Sequence, residues 1–540
     1  MVLSFALAPG VVFGTAVAVV LAWVVYEVLF SPLRQFPGPF LAKFTDLYRA
    51  RLVLAGRFEH WNRAWHDQWG SAAVRVGPNT ISISDPDLIK VIYATKNAWL
   101  KTDMYRPNDL AVNGQRIPNI FNTRDLAFHA KYKTPIAGFW SQTQVLELEP
   151  LMDETLLLLV DTLGKRFADT PGAVCPMDDW LAYYAWDAVA NVSFGRHYGF
   201  VEQGADVGGM IAESTAGLFY FAPVSQVPWV DEWLDKNPVM RFGPRPLLNG
   251  FLYTVKIISE YQQKLLGAAG VGGGNGGDAA ERKKENKKPI EHFLDKYHRL
   301  KNNNSSGGGD GGGLDFVDDT QVTRWLMINV LAGGDSTAGA MRSVMYHLGR
   351  DPRVRARLVA ELDGAGVTVP ALYRDIRQLP YLDAVIWESL RVCPGVGLLL
   401  EREVPPAAGG GLRLPDGRVV PAGTKAGINP GVVTRDRALF GEDGAEFRPE
   451  RWLRGDGEAE PDFARRHRRM LEATDFTFGA GDRVCLGKYL ARTEMYKLVA
   501  TLYRAFEIRP VRADQEWKCR NSWFMYQSDM PMVVERRGEV

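Results

Sequence analysis

Cys485 stands where a side chain is equipped for chemistry. It lies in Phe478 to Gly487, F-G-A-G-D-R-V-C-L-G, a glycine-rich loop directly ahead of an amphipathic helix that starts near Gly487. A helix N-terminus with free backbone N–H groups favours a thiolate over a thiol. Gly479, Gly481 and Gly487 let the backbone approach a flat object with no side chain in the way. Phe478 offers a ring beside the sulfur, and Arg483 offers a fixed two-pronged cation for a carboxylate. Together these residues suit a cofactor held by one sulfur with acidic groups at its edge, such as a haem with its propionates.

Three further constellations precede that loop. Glu388 and Arg391 lie three apart in L-P-Y-L-D-A-V-I-W-E-S-L-R-V-C-P, on one face of a predicted helix whose other positions include Leu382, Val385, Ile386 and Leu390. Alone that spacing is common, but Pro449-Glu450-Arg451-Trp452 and then the cysteine loop follow in order. Thr323 to Gly349 reads as one long helix with an odd centre, because Gly333 and Gly334 each cost about 1 kcal/mol relative to alanine. The expectation is that they let a ligand approach the helix backbone. Ser336 or Thr337 is expected to bond back to the carbonyl four residues earlier and open a local distortion. His129 and Lys133 in F-H-A-K-Y-K are four apart and reach one target from one helix face.

In these motifs and their order the chain resembles the cytochrome P-450 family, whose ligand loop has the pattern F-x-x-G-x-R-x-C-x-G. A chance match of those five fixed positions in a chain this long is on the order of one in ten thousand. The resemblance covers nearly everything after an N-terminal anchor. It implies a mainly α (α+β) fold of that family, a helix-rich body with small β-sheets. It implies haem b with Cys485 as the iron ligand, contacted by Phe478, Gly479, Arg483 and Gly487 and by Ala332 and Gly333. His129, Lys133 and Arg402 are the implied propionate contacts, with Lys133 standing where relatives often carry arginine. Glu388, Arg391 and Arg451 are implied to form a buried structural network. Ala332 to Thr337, A-G-G-D-S-T, matches the family's A-G-x-[DE]-T-[TS], so Asp335, Ser336 and Thr337 are the implied catalytic group for proton delivery. Ser336 replaces the usual threonine, keeping the hydroxyl and losing the methyl.

The implied activity is that of a haem-thiolate monooxygenase, because thiolate donation favours O–O cleavage over reversible oxygen carriage. Its substrate would be an apolar small molecule. Its electrons would come from NADPH through a partner reductase, with cytochrome b5 as a further partner. R-V-G-P-N-T-I-S-I-S-D-P and F-R-P-E-R-W-L are similar to microsomal members from filamentous fungi, including the pisatin demethylase-like and benzoate hydroxylase-like groups. That likeness implies secondary metabolism or detoxification. Ser336 leaves open a haem-thiolate isomerase or dehydratase that needs neither oxygen nor electrons. The acid–alcohol pair speaks against a third reading, a non-catalytic haem sensor. By the same analogy, Tyr105 to Phe121, Leu218 to Trp233, Ala332 and Val396 to Leu400 line the substrate pocket.

The elements that must position these residues are legible in outline. Ala73 to Ser84 alternates around a Gly-Pro turn and predicts a β-hairpin, and Val404 to Ile428 is a second β-rich stretch. Leu146 to Phe167, Thr320 to Leu348 and Gly487 to Phe506 carry helical periodicity. Between Gly267 and Gly313 composition turns to glycine, serine, asparagine and lysine, which predicts a flexible, solvent-exposed insertion with a short helix at most around Ile290 to Leu300. Residues 1–31 read as a membrane anchor: no charge occurs from Met1 to Tyr26, and Gly10 to Phe30 supplies about 20 apolar residues, enough for a bilayer core of about 30 Å. Arg34, Lys43, Arg49, Arg51 and Arg57 follow the span, so the body is expected on the cytosolic side of the endoplasmic reticulum membrane, single-pass. Residues 32–40, with Phe36-Pro37-Gly38-Pro39, form a stiff elbow, and 41–540 the catalytic domain.

Composition sets the outer limits. With 64 Lys and Arg against 63 Asp and Glu, the net charge of +1 offers no field for nucleic acid. Cys175, Cys393, Cys485 and Cys519 are far apart, which excludes a disulfide scaffold and a C-x-x-C zinc module, and each is expected to act alone in a reducing compartment. No G-x-G-x-x-G unit follows a predicted strand, so a flavin or nicotinamide must sit on a partner. Lys488, Arg492 and Lys497 are candidates for that partner's docking face, against a merely solvated helix face.

Overall fold

A computed structural model describes residues 9–112, 115–243, 248–270, 290–305, 314–406 and 410–538. The helices that matter to the site are α1 (Pro9–Val25), α2 (Leu126–Ala137), α3 (Glu149–Leu163), α4 (Met177–Phe194), α5 (Met210–Gln226), α6 (Phe293–Ser305), α7 (Asp319–Arg350), α8 (Pro380–Val392) and α9 (Lys488–Ala505). The strands are β1 (Ala73–Gly77), β2 (Thr80–Ile83), β3 (Arg402–Glu403) and β4 (Lys425–Ile428), in the order β1-β2-β4-β3, and the hairpin β5 (Lys518–Ser522) with β6 (Phe524–Ser528). The hairpin predicted at Ala73 to Ser84 is β1–β2; every residue of both strands is buried, so polar Arg75, Thr80 and Ser82 sit inside. Arg75 is neutralised there by Glu27, whose Oε2 accepts from Nη2 at 2.6 Å, tying the sheet to the segment just after α1. The apolar span Phe13–Phe30 has a mean hydropathy of 2.1 and none of it is buried against the body, so it is long and apolar enough to cross a membrane.

The 32-residue α7 runs through the body for about 48 Å at 1.5 Å per residue. Asp318 caps it by accepting from the Gln321 N–H. Its longest partner is α4, and the two glycines at its centre are explained by that packing. A β-carbon at Gly333 would come 2.7 Å from Val189 Cγ2, and one at Gly334 would come 2.7 Å from the Trp186 indole. On the side their β-carbons would occupy, the glycines therefore admit a neighbouring helix, a close approach that the sequence signalled without naming α4. Ser336 Oγ does donate to the Ala332 carbonyl at 2.6 Å, yet α7 continues without interruption, so the expected distortion is not found.

Two further expectations are revised. The segment inside the predicted insertion is a core helix: Phe293, Leu294 and Tyr297 of α6 are buried, and Phe293 stacks on Trp140 with ring centres 4.1 Å apart. Apolar residues spaced along one helix face outweigh the polar flanks on either side. Residues 271–289 and 306–313 of that insertion, with its lysine run, lie outside the described residues. The basic face proposed on α9 also fails. Lys497 is fully buried and its Nζ meets Glu149 at 2.6 Å and Asp153 at 2.7 Å. Arg492 lies over the Trp387 ring at 4.8 Å, and Lys488 pairs with Asp475 at 2.6 Å. Central helices have no solvated face to spare, because neighbours cover them all round.

Candidate functional site

The cysteine loop is shaped by two left-handed glycines. Gly479 has φ +74° and Gly481 φ +61°, and a β-carbon on Gly481 would collide with the Tyr93 carbonyl. The loop is then closed by the Cys485 N–H, which donates to the Phe478 carbonyl at 2.8 Å. A β-carbon on Gly487 would lie in ordinary contact with the Cys485 sulfur, 3.9 Å from Sγ, and glycine leaves that side of the sulfur bare. Cys485 keeps accessible surface although protein packs closely around its thiol. Burial pushes that thiol up, and the N–H groups of Gly487 and Lys488 with the charges of Lys488 and Lys133 offset this only in part. The helix N-terminus alone therefore does not make the thiolate expected from sequence; a cation bonded directly to sulfur would.

Around this loop five basic side chains converge from four elements. His129 and Lys133 come from α2, Arg402 from β3, Arg483 from the loop, and Lys101 from the bridge it makes with Arg402. Burial, then the charges of Arg402 and Arg483, hold Lys101 well below the ordinary lysine range. Burial, then Arg483, Lys133, Lys101 and Arg402, push His129 down to about 3. Arg483 is itself lowered to about 10, by burial first and Arg402 second. Lys133 donates to the Asp482 carbonyl, and Lys101 donates to the Phe121 carbonyl and lies over the Tyr105 ring at 4.1 Å. Arg483 donates one weak bond, Nη1 to the Ile120 carbonyl at 3.4 Å, while its buried Nη2 has no partner among the described residues. Among the described residues no carboxylate closes this cluster; Asp482 and Asp125 only temper it. Such a group of desolvated cations suits a ligand with two carboxylates beside the cysteine. Sequence reasoning missed Lys101, since W-L-K-T-D carries no motif and its partners lie far along the chain.

On α7, Ala332 is exposed while Thr337 is buried, and Gly333 directs its missing β-carbon at Val189. Asp335 turns away from the Ser336 hydroxyl. Its Oδ1 accepts from Trp186 Nε1 at 3.0 Å and its Oδ2 from Ser214 Oγ at 2.5 Å. Burial raises its carboxyl despite those two bonds, so it keeps a proton more readily than an ordinary aspartate. Asp335 also borders a small cavity with Thr215, Leu218, Arg342, Phe524 and Tyr526. Trp186 and Ser214 come from α4 and α5, and no local pattern in the sequence marks them.

Three of the segments expected at the pocket meet, without Ala332. Tyr105, Phe121 and Phe221 pack around Trp523 with ring centres 5.5 to 5.8 Å apart, and Leu398 and Leu399 join them. Trp523, at the β5–β6 turn with φ +75°, is the centre of that cluster and was absent from the sequence reading.

Away from this site, Glu388, Arg391 and Arg451 meet in the core. Arg391 grips Glu388 with two bonds of 2.7 and 2.8 Å, and Arg451 Nε adds a third at 2.9 Å. Trp452 Nε1 and the Arg448 N–H complete the carboxylate at 2.8 and 2.7 Å. Burial would raise Glu388, but the bonds and charges of Arg391 and Arg451 win and hold it below the usual range.

Comparison with known proteins agrees. The family model for cytochrome P-450 matches residues 74–533. The chain is 34% identical to the cytochrome P-450 monooxygenase cfoH of Aspergillus candidus over 98% of its own length and 93% of that protein. It is 36% identical to the cytochrome P-450 monooxygenase AFLA_114810 of Aspergillus flavus over 94% of this chain and 93% of the relative. The cytochrome P-450 monooxygenase mpaDE of Penicillium brevicompactum is 36% identical over 97% of this chain, which spans 57% of that longer protein.

Proposed function

The chain belongs to the cytochrome P-450 family and is a monooxygenase of that family, and from this premise we propose that it oxidises an apolar small molecule of fungal secondary metabolism at a haem held by Cys485. The observation that carries the assignment is the unclosed cluster of Lys101, His129, Lys133, Arg402 and Arg483 beside the cysteine loop. Its five basic side chains are held in want of an anion and suit two propionates, whose charge would raise the depressed His129 and Lys101, and Arg483 Nη2 is the donor left over for one of them. When bound on a thiolate, haem iron supplies the activation of dioxygen and the transfer of one oxygen atom to substrate.

The chain's own residues do the rest. Gly487 keeps the sulfur open, and the N–H groups of Gly487 and Lys488 stabilise its charge. The cluster around Tyr105, Phe121, Phe221 and Trp523 excludes water and offers flat apolar walls to the substrate. Asp335, whose carboxyl burial raises, passes protons by way of the Ser214 hydroxyl, which donates to its Oδ2, and the cavity beside Arg342. Ser336 is the alcohol nearest Asp335 in the chain and must release the Ala332 carbonyl to take part. Electrons come from NADPH through a separate reductase, with cytochrome b5 as an alternative donor. The apolar span Phe13–Phe30 anchors the chain in the endoplasmic reticulum membrane, with the body in the cytosol.

The test is substrate turnover with NADPH and reductase, each added and omitted. Product that needs both supports the reading, whereas product formed without either would make the chain an isomerase or dehydratase. Asp335→Asn should slow substrate-dependent NADPH use by about a hundredfold, the low end for general acid–base catalysis. Unchanged turnover and coupling would remove Asp335 from proton delivery.

A further inference from the structure

Cys393 and Cys519 are far apart in sequence and meet in the fold. Cys393 ends α8, where it is 5% exposed, and Cys519 lies on β5 with accessible surface. Gln527 fixes their approach. It is the cross-strand partner of Cys519 in the β5–β6 register, and its Nε2 donates to Cys393 Sγ at 3.1 Å. Register partners share one face of the hairpin, so Cys519 lies beside Gln527 on the face that meets Cys393, and the two thiols perturb each other. The charged groups facing the pair are Arg435, which also donates to the Val392 carbonyl, and Glu59. The neighbouring Cys519, helped by Gln527 and Arg435 and opposed by burial and Glu59, draws Cys393 toward thiolate, and Cys393 in turn pushes Cys519 up. The first proton lost thus leaves one negative charge shared between two sulfurs, the arrangement from which disulfides form.

We propose that Cys393 and Cys519 are a reversible redox site, oxidised to an internal disulfide by small disulfides of the glutathione type. One proton of the pair is lost to solvent and the other moves to Cys393, so that Cys519, on the exposed strand, attacks oxidised glutathione as the thiolate. The glutathione S–S bond breaks, a Cys519–glutathione bond forms, and one glutathione leaves as thiolate and takes up the Cys393 proton. Cys393 thiolate then attacks the Cys519 sulfur, and the second glutathione leaves as thiolate and takes back from solvent the proton first released. Two protein thiols are oxidised and one glutathione disulfide is reduced to two glutathiones. The bond would tie the end of α8 to the β5–β6 hairpin. Phe524 of that hairpin bridges Val396 and borders the cavity at Asp335, so the redox state is felt at a wall of the proposed active site.

The full chain in detergent is equilibrated in glutathione buffers from fully reduced to fully oxidised, quenched in acid, alkylated, digested and analysed by mass spectrometry without reductant. The expected result is a Cys393–Cys519 peptide pair, two hydrogens lighter than the sum, that appears in one two-electron transition. Dithiothreitol should reverse it, and Cys519→Ser should abolish it. The proposal is overturned if both thiols alkylate separately at every ratio in folded protein. It is equally overturned if glutathione stays on Cys519 while Cys393 still alkylates, or if the only disulfide joins two chains. The readout does not involve haem, so its failure leaves the monooxygenase assignment untouched.

Discussion

The Glu388–Arg391–Arg451 cluster and the Lys101–His129–Lys133–Arg402–Arg483 cluster are both buried and both basic, yet only the first is electrically complete. In the first, one carboxylate takes bonds from two guanidiniums, an indole and a backbone N–H, and its pKa falls. In the second, bases push one another down and a guanidinium nitrogen stays unpartnered. A chain that satisfies its own buried charges is building a fold; one that leaves like charges together is building a place for an anion. The same residue type, arginine, is structural in one setting and ligand-directed in the other, and the partners decide which.

Removing a member should therefore have opposite consequences in the two clusters. The largest effect is expected for Arg391→Leu, which strands Glu388 and should cost about 3–5 kcal/mol in denaturant unfolding. A loss under about 1 kcal/mol would put the pair among surface bridges and erase the contrast. Arg483→Leu comes next. It relieves repulsion, so the haem-free protein should hold or gain thermal stability, while haem passes to apomyoglobin about tenfold faster, the equivalent of one charged hydrogen bond. Destabilisation of the haem-free protein as severe as that of Arg391→Leu would show that Arg483 is structural.

The smallest effect near neutral pH is a pH dependence that grows as acid is added. His129 is held at about 3 in the fold against 6.5 when free, so between those values the unfolded chain binds more protons. Stability of the haem-free protein should fall as pH drops below 6.5, by up to about 1.4 kcal/mol per pH unit for each proton taken up. Glu388 acts in the same direction at lower pH: its folded pKa lies below 4.5, so its contribution is present above that value and is lost as pH falls through the lower folded one. His129→Gln should flatten the slope from pH 6.5 down to about 3, leaving below pH 4.5 only the part that the carboxylates supply. Equal slopes in both proteins would show that the second cluster is solvated after all.

What was legible in the sequence was whatever neighbours in the chain determine. The loop around Cys485, the Glu388–Arg391 pair and the helix Thr320 to Leu348 are local patterns, and the fold keeps them. What needed the fold was pairing across distance. Lys101 is one lysine in an unremarked stretch until Arg402 and Arg483 surround it. Gly333 and Gly334 gave a correct signal of close approach, but the approaching object is α4, which the sequence cannot place. Lys497 read as surface because a helix was assumed to have a wet side, and α9 has none there. Cys393 and Cys519 read as solitary because a register between β5 and β6 and the end of α8 had to be known before they could meet.

The most direct test is the carbon monoxide difference spectrum of the dithionite-reduced full-length protein in membranes, beside Cys485→Ser. The account requires a strongly red-shifted Soret band in the wild type that is lost in the variant. Haem bound by freshly prepared, folded wild-type protein without that band, or the band persisting in Cys485→Ser, would contradict it.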